Sequence, residues 1–153
     1  MNSQTAHVSE HDCLFCKIAR NEVPSFKVYE DEKVVAILDI NPASSGHTLI
    51  MPKKHYLNLH DIPENTLSDC MTVVKKMTDR TRNKLNAVGV NIMQNNGRQA
   101  GQVIDHIHFH VIPRYENDGI MMRFPRVQLS NEEMKKIQDK LKEEEKDDKV
   151  NWI

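Results

Sequence analysis

The chain of 153 residues is long enough for one domain with a real core, and 28% of its residues are charged. Its net charge of −1 at pH 7 excludes the broad basic surface typical of nucleic-acid-binding proteins. No apolar run approaches the roughly 20 residues that span a bilayer. Neither a signal peptide nor a paired set of cysteines is evident. We therefore expect a cytoplasmic protein without membrane or nucleic-acid partners.

The first third of the chain predicts a lead, a short helix and a hairpin. Residues 1–11 are polar and are expected to be flexible. The segment CLFCKIA, residues 13–19, suits a short helix or turn. Residues 28–30 and 34–38 are β-branched or apolar around a turn-like Asp-Glu-Lys, and we interpret them as a β-hairpin.

A loop, a strand and a long helix are predicted next. NPASSGH, residues 41–47, is a loop by its proline, serine and glycine content, and residues 48–51 form a short buried strand closed by Pro52. Pro63 begins a long amphipathic helix that is expected to stop at Gly89. Its inward face is predicted from apolar and small residues at three- and four-residue spacing: Leu67, Cys70, Met71, Val74, Met77, Thr78, Thr81 and Leu85.

The last part of the chain predicts two strands and a separate helix. Residues 90–93 and 106–112 have the pattern of strands, and residues 94–102 between them form a polar, glycine-containing loop. Ser130 and Glu133 have the spacing of a capping box. The helix that follows has a narrow apolar stripe, expected to dock on another surface, formed by Met134, Ile137 and Leu141.

Beyond this helix, the charged residues 142–148 are interpreted as a solvated helix end or a frayed tail. The only tryptophan of the chain, close to the C-terminus, is either part of a disordered end or a contact with a partner subunit.

Three histidines alternate with apolar residues in DHIHFHVIP, residues 105–113. A strand places His106, His108 and His110 on one face. Residues two apart on a strand are separated by roughly 6.6 Å, so the outer histidines lie about 13 Å apart. Because three rings at that spacing do not converge readily on one metal, we expect the three imidazoles to have different roles.

Two other interpretations compete for these histidines. They could be incidental residues of a half-exposed strand. They could also include a His-X-His pair of a zinc hydrolase, which needs a nearby carboxylate as ligand or base. Asp105 is the adjacent carboxylate, but alternation points it away from the imidazole face.

The loop before the histidines favours phosphate chemistry. Gly97 and Gly101 allow backbone N–H groups to approach an anion, while Asn95 and Gln102 supply neutral donors and Arg98 a charge. By itself such a loop is weak evidence, but it leads directly into the histidines. No Walker-type GxxxxGK[ST] pattern is present, so a P-loop is excluded.

The motif HIHFHVIP resembles the signature of the histidine triad, or HIT, proteins. The segment CLFCKIARNEVPSFKVYEDEKVVAILDINPASSGHTLIMPKKH resembles the N-terminal half of the Hint branch, and NNGRQAGQ resembles its phosphate loop. The resemblance implies a HIT domain over residues 12–115, with residues 1–11 as a flexible lead. It leaves residues 116–153 as a C-terminal extension containing a helix and a charged tail.

This resemblance implies an α+β fold, in which an antiparallel sheet with one long helix, here followed by a C-terminal helix, continues across a homodimer. It also implies hydrolysis or transfer at the α-phosphate of purine nucleotide conjugates, such as dinucleoside polyphosphates or adenosine phosphoramidates. The alternative is a slow or inactive nucleotide-binding sensor of the same fold.

The resemblance also implies individual roles. His108 is the nucleophile that forms a nucleotidyl-histidine intermediate, His110 contacts the phosphoryl oxygens, and His47 supports the same site. No catalytic metal is required. The implied substrate contacts are Asn95, Gly101 and Gln102 at the phosphate, Asp39 at the ribose and Ile40 at the base.

Val103 departs from the family pattern, because many members have serine or threonine directly after the Gly-Gln of the loop. A hydroxyl that could bond the phosphate or protonate a leaving amine is therefore missing. This change disfavours phosphoramidates more than polyphosphates, whose leaving groups are already good.

Cys13 and Cys16 form a CxxC pair that could be a redox dithiol, half of a zinc site or two buried apolar residues. The surroundings are not thioredoxin-like. In the zinc-binding subset of the family, positions matching His55 and His106 are the remaining ligands, which implies a structural Cys2His2 zinc site here.

Overall fold

The computed structural model of the protein describes residues 9–142. The described elements are α1 (Leu14–Ala19), β1 (Lys27–Glu30), β2 (Val34–Leu38), β3 (Thr48–Pro52), α2 (Glu64–Leu85), β4 (Gly89–Gln94), a 3₁₀ turn (Arg98–Ala100), β5 (Phe109–Arg114) and α3 (Asn131–Lys142). The chain divides into two compact units at residue 118. Most of the predicted charged tail, residues 142–148, and Trp152 lie outside the described residues. Across residues 9–142, no helix combines the length and apolar character needed to cross a membrane.

The first unit is built on a five-stranded sheet with the order β1-β2-β3-β5-β4. Every neighbouring pair is antiparallel. The predicted α+β class, with an antiparallel sheet, one long helix and a C-terminal helix, is confirmed.

The two faces of the sheet are covered by different helices. One face packs against α2, in a core that includes Val34, Ile50, Phe109, Val73 and Met77. The other face packs against α1, in a core that includes Val35, Leu49, Met51, Phe15 and Ile18. Successive residues of β2 and β3 therefore alternate between the two cores, as strand geometry requires.

The long helix differs from the prediction in its end and in part of its buried face. It stops at Asn86, whose left-handed conformation (φ 56°) ends the helix, and Gly89 instead begins β4. Asparagine takes this conformation readily because its short polar side chain can bond locally. Val73 is buried although it was not predicted, whereas Met71 and Leu85 are exposed.

The histidine strand is shorter than predicted. The ladder between β3 and β5 starts at Ile50 and Phe109, so His106 and His108 precede the strand. Continuing the register would place Ile107 opposite Pro52, which has no N–H to donate. The carbonyl of Pro52 instead lies 2.8 Å from Nε2 of His106. The ring N–H of His106 thus bonds to a backbone carbonyl that would otherwise accept a hydrogen bond of the ladder.

The second unit contains α3, whose predicted capping box is present. The Ser130 N–H donates to Glu133 Oε2 over 2.7 Å, and the Glu133 N–H donates to Ser130 Oγ over 3.3 Å. The apolar stripe of Met134, Ile137 and Leu141 is exposed. The docking predicted for this stripe stays a prediction.

Candidate active site and metal cluster

Four side chains with metal-binding groups meet on the α1 side of the sheet. Cys13 and Cys16 lie at the start of α1, His55 follows β3, and His106 precedes β5. The Sγ atoms of both cysteines lie 3.4 Å from Nδ1 of His106. Cys16 Sγ lies 3.3 Å from Nδ1 of His55. We call these four residues the Cys–His cluster.

The Cys–His cluster fits zinc in both spacing and tautomer. With Zn–S near 2.3 Å and Zn–N near 2.0–2.1 Å, tetrahedral geometry separates sulfur from nitrogen by about 3.6 Å, close to the distances above. Because the Pro52 carbonyl can only accept, Nε2 of His106 carries the proton. Its Nδ1 lone pair therefore faces the two sulfurs, as a metal ligand requires.

Burial sets the protonation of this cluster. It lowers the pKa of His106 to about 4, so the imidazole is neutral at pH 7. Burial, reinforced by the neighbouring Cys13, raises the pKa of the Cys16 thiol to about 12. Metal binding at neutral pH must therefore release thiol protons.

His108 is fixed in one tautomer by the backbone of the cluster. Its Nδ1 lies 2.8 Å from the carbonyl oxygen of His106. Since the carbonyl accepts, Nδ1 donates, and Nε2 keeps its lone pair. Burial lowers the pKa of His108, which keeps that lone pair unprotonated at neutral pH. The ring therefore has the form of a neutral imidazole nucleophile.

His47 and His110 form a second pair with defined proton positions. The Ala43 N–H donates to Nδ1 of His47 over 3.1 Å, so Nε2 of His47 carries its proton. That Nε2 lies 2.9 Å from Nδ1 of His110 and donates to it. Nε2 of His110 is consequently an N–H donor, and burial lowers the pKa of His110 to about 4. The pair offers a neutral hydrogen-bond donor beside His108, whose ring centroid is 4.9 Å from that of His110.

The loop at residues 43–47 reaches this position through a turn at Gly46. Gly46 has φ +87°, a backbone conformation that residues with a side chain rarely adopt, and it lies beside the end of the Leu85 side chain. Glycine therefore allows the turn that directly precedes His47.

The predicted phosphate loop is held mainly by Gln102. The side chain of this buried residue accepts from the Gly97 N–H over 2.8 Å and donates to the carbonyls of Leu57 and Ile104 over 2.7 and 3.1 Å. Its carboxamide is thus occupied in shaping the loop, and a direct substrate contact remains a prediction. The Gly101 N–H, predicted at the phosphate, donates to the Arg98 carbonyl over 2.9 Å.

Asn95 lies next to the histidines by strand register. Gln94 pairs with Phe109, so Asn95 is one step further along, opposite His108. Its Nδ2 donates to the Gly101 carbonyl over 3.4 Å, a long bond that a better acceptor could replace.

The predicted nucleoside contacts follow β2. Asp39 Oδ2 lies 3.6 Å from Nδ1 of His47, and its Oδ1 accepts from the Asn41 N–H over 2.8 Å. Ile40 is 80% exposed, and Val103 in the loop is 86% exposed. Both apolar side chains are therefore available to a ligand.

Sequence reasoning missed Phe15. This residue is 5% exposed, and its ring centroid lies 5.1 Å from that of His108 and 5.9 Å from that of His106. Its position between the two cysteines of CLFC was the available signal, because a short helix that anchors both thiols also brings the intervening ring to the same site.

These features together define a histidine-centred site on an antiparallel sheet with a cysteine-containing helix. The sequence model described as HIT domain matches residues 20–117, and the chain therefore belongs to the HIT domain family. The predicted resemblance to the family is confirmed.

Two relatives have names that describe an activity. The adenosine 5'-monophosphoramidase HNT1 of Candida albicans is 44% identical over 141 residues, covering 89% of this chain and 93% of that protein. The adenylylsulfatase HINT3 of Arabidopsis thaliana is 43% identical over 109 residues, covering 71% of this chain and 55% of that protein. Both names describe hydrolases, so the predicted enzyme class, a HIT-family hydrolase, is confirmed at the level of the family.

One solved structure of similar fold is that of a zinc-bound protein. The crystal structure of a Zn-bound histidine triad family protein from Mycobacterium smegmatis matches with a TM-score of 0.71 and 39% identity, covering 75% of this chain and 84% of that chain. The Cys–His cluster described above is compatible with a zinc site.

Proposed function

We propose that the protein hydrolyses or transfers nucleotides at the α-phosphate of purine nucleotide conjugates through a nucleotidyl-His108 intermediate. One observation carries this proposal: Nδ1 of His108 donates to the His106 carbonyl, so the lone pair is on Nε2. A buried neutral imidazole with a fixed tautomer is suited to attack phosphorus.

The reaction proceeds in two displacements. Nε2 of His108 forms a bond to the α-phosphorus as the bond to the leaving group breaks with its electron pair. The N–H of His110 donates to a phosphoryl oxygen and stabilises the charge that develops there. Water then forms the new P–O bond as the P–N bond breaks, and the electron pair of that bond returns to Nε2. The water gives up one proton, which passes to the departed leaving group, and His108 returns to its neutral form.

Three substrates test this proposal, two of them taken from the names of the relatives: adenosine 5'-phosphoramidate, adenosine 5'-phosphosulfate and a dinucleoside polyphosphate. We expect AMP release from the sulfate and polyphosphate to be faster than from the phosphoramidate, because Val103 provides no hydroxyl to assist an amine leaving group. The isosteric Val103→Thr should raise phosphoramidate turnover by about 10-fold and leave the other rates nearly unchanged. Chromatographic assay of AMP measures each rate, with Val103→Ala as the control that changes this side chain without adding a hydroxyl.

The exposed Val103 also favours a second candidate, a nucleotide-binding sensor that turns over slowly. Calorimetric binding of AMP with no release of product from any of the three substrates would support the sensor and contradict the hydrolase.

We also propose that the Cys–His cluster binds one structural zinc ion. The support is the donor set, its near-tetrahedral spacing and the outward hydrogen bond of His106 to Pro52. When bound, zinc would hold the start of α1 against the segment that carries His108, and the chemistry would remain with the histidines.

A homodimer is a further part of the proposal. β4 lies at one edge of the sheet, and within residues 9–142 no strand pairs with its outer side. Ile92 on this strand and Val88 before it are exposed. A second copy could extend the sheet and cover these side chains. Sedimentation equilibrium at micromolar concentration should give twice the 17.7 kDa of one chain, and a monomer mass would contradict the dimer.

A further inference from the structure

We propose that Phe15 is a positioning residue that holds the ring of His108 in the orientation needed for attack. This inference rests on the proposed function, and it adds a residue of α1 to those that support the proposed reaction. The ring centroids of Phe15 and His108 are 5.1 Å apart, with an angle of 82° between the ring planes. Such an edge-to-face arrangement is a favourable geometry for two aromatic rings.

His108 needs side-chain support because its backbone is only partly held by the sheet. The ladder of β5 begins one residue later, at Phe109. One hydrogen bond, from Nδ1 to the His106 carbonyl, fixes the ring at one edge. A single bond leaves the ring free to tilt about the axis of that bond, so contacts on its flanks determine where Nε2 points.

Two rings provide those contacts. His110 lies at a centroid distance of 4.9 Å, with an angle of 60° between the planes, and it is itself fixed by its bond to His47. Phe15 provides the other contact. Its own position is determined by α1, where Cys13 and Cys16 flank it and the packed core beneath the sheet buries it.

Phe15 also contacts the ring of His106, at 5.9 Å and 76°. Phe15 therefore contacts both His108 and His106, the residue whose carbonyl fixes the tautomer of His108. The start of α1, His106 and His108 form one packed unit, in which a displaced Phe15 would let the nucleophile tilt without breaking the bond that sets its tautomer.

Phe15→Leu tests this role, because leucine keeps an apolar side chain in the core and removes the planar ring. We expect kcat to fall by about 10-fold or more, since small misplacement of a reacting group is costly, while KM changes less than about 2-fold. Leu14→Ala is the matched control, because Leu14 is the exposed neighbour on the same helix. It should leave both constants unchanged.

Two readouts besides turnover distinguish positioning from a purely structural effect. Relaxation of the ¹³C-labelled His108 ring should report greater mobility in Phe15→Leu than in the Leu14→Ala control. Zinc per chain, compared with the unsubstituted protein, should be unchanged in both variants. If Phe15→Leu does not fold, Phe15→Met provides the same test.

An unchanged kcat in Phe15→Leu would overturn the inference, as would an effect confined to KM, which would make Phe15 a wall of the nucleotide pocket. A kcat that falls only in proportion to lost zinc would also overturn it. Absence of turnover in the unsubstituted protein would instead defeat the proposed function, and the ring mobility would still decide the role of Phe15.

Discussion

His108→Ala should abolish the nucleotidyl intermediate and lower kcat by at least about 10⁴-fold, since deletion of a nucleophile in a covalent enzyme has cost on the order of 10⁶. The reason is that Nε2 of His108 is the atom that forms the bond to phosphorus, with a lone pair fixed by the His106 carbonyl. Nucleotide binding should be largely retained. The measurement is intact mass spectrometry after rapid mixing with substrate and quenching without acid, which preserves the P–N bond.

His110→Ala is the matched comparison, because it removes a neighbouring imidazole that donates to the phosphate but does not attack it. Loss of one such donor costs on the order of 10²–10³ in kcat, and the intermediate should still form. An adduct of equal yield in His108→Ala, or full turnover by that variant, would assign the nucleophile to another group and revive the His-X-His metal hydrolase.

Protein purified without chelator should contain about one zinc per chain, and His55→Ala should lose that metal. If the metal contributes only about 3 kcal/mol, well below the roughly 10–16 kcal/mol known for zinc-finger peptides, its loss lowers Tm by about 6–12 °C for a chain of this size. Elemental analysis and thermal unfolding with and without chelator measure both effects. Because the thiols must lose protons to bind zinc, affinity should weaken as the pH falls.

His11→Ala is the control for the zinc prediction, since His11 is an exposed histidine outside the Cys–His cluster. It should retain both metal and Tm. Zinc-free protein from a chelator-free preparation, or equal metal loss in the two variants, would show that the cluster is only a buried group of polar side chains.

The sequence predicted the sheet and the alternation of the histidines well, because both depend on local apolar patterns. Residues two apart share a face in any extended chain, so His106, His108 and His110 could be assigned to one side before the strand itself was known. The start of that strand was wrong, because it depends on Pro52, a residue more than fifty positions away that interrupts the ladder and offers its carbonyl to a ring.

The contacts of Phe15, signalled only by the CLFC spacing, and those of Gln102 were missed for a similar reason. The ring of Phe15 looks like any core aromatic until α1 is placed against the histidines. Gln102 looks like a free donor until its three partners, Gly97, Leu57 and Ile104, are brought around it. Both roles arise from contacts between distant segments, to which composition and periodicity are insensitive.

The cores on the two faces of the sheet should tolerate amino-acid substitutions during evolution to different extents. The α2 core consists of apolar side chains, with Cys70 among them, that can be exchanged in compensating sets, provided that total volume is kept. The α1 face also carries thiols, imidazoles and the Phe15 ring, whose angles and tautomers depend on one another. Neutral drift should therefore accumulate beneath α2, while single substitutions beneath α1 would be removed by selection before a compensating change could arise.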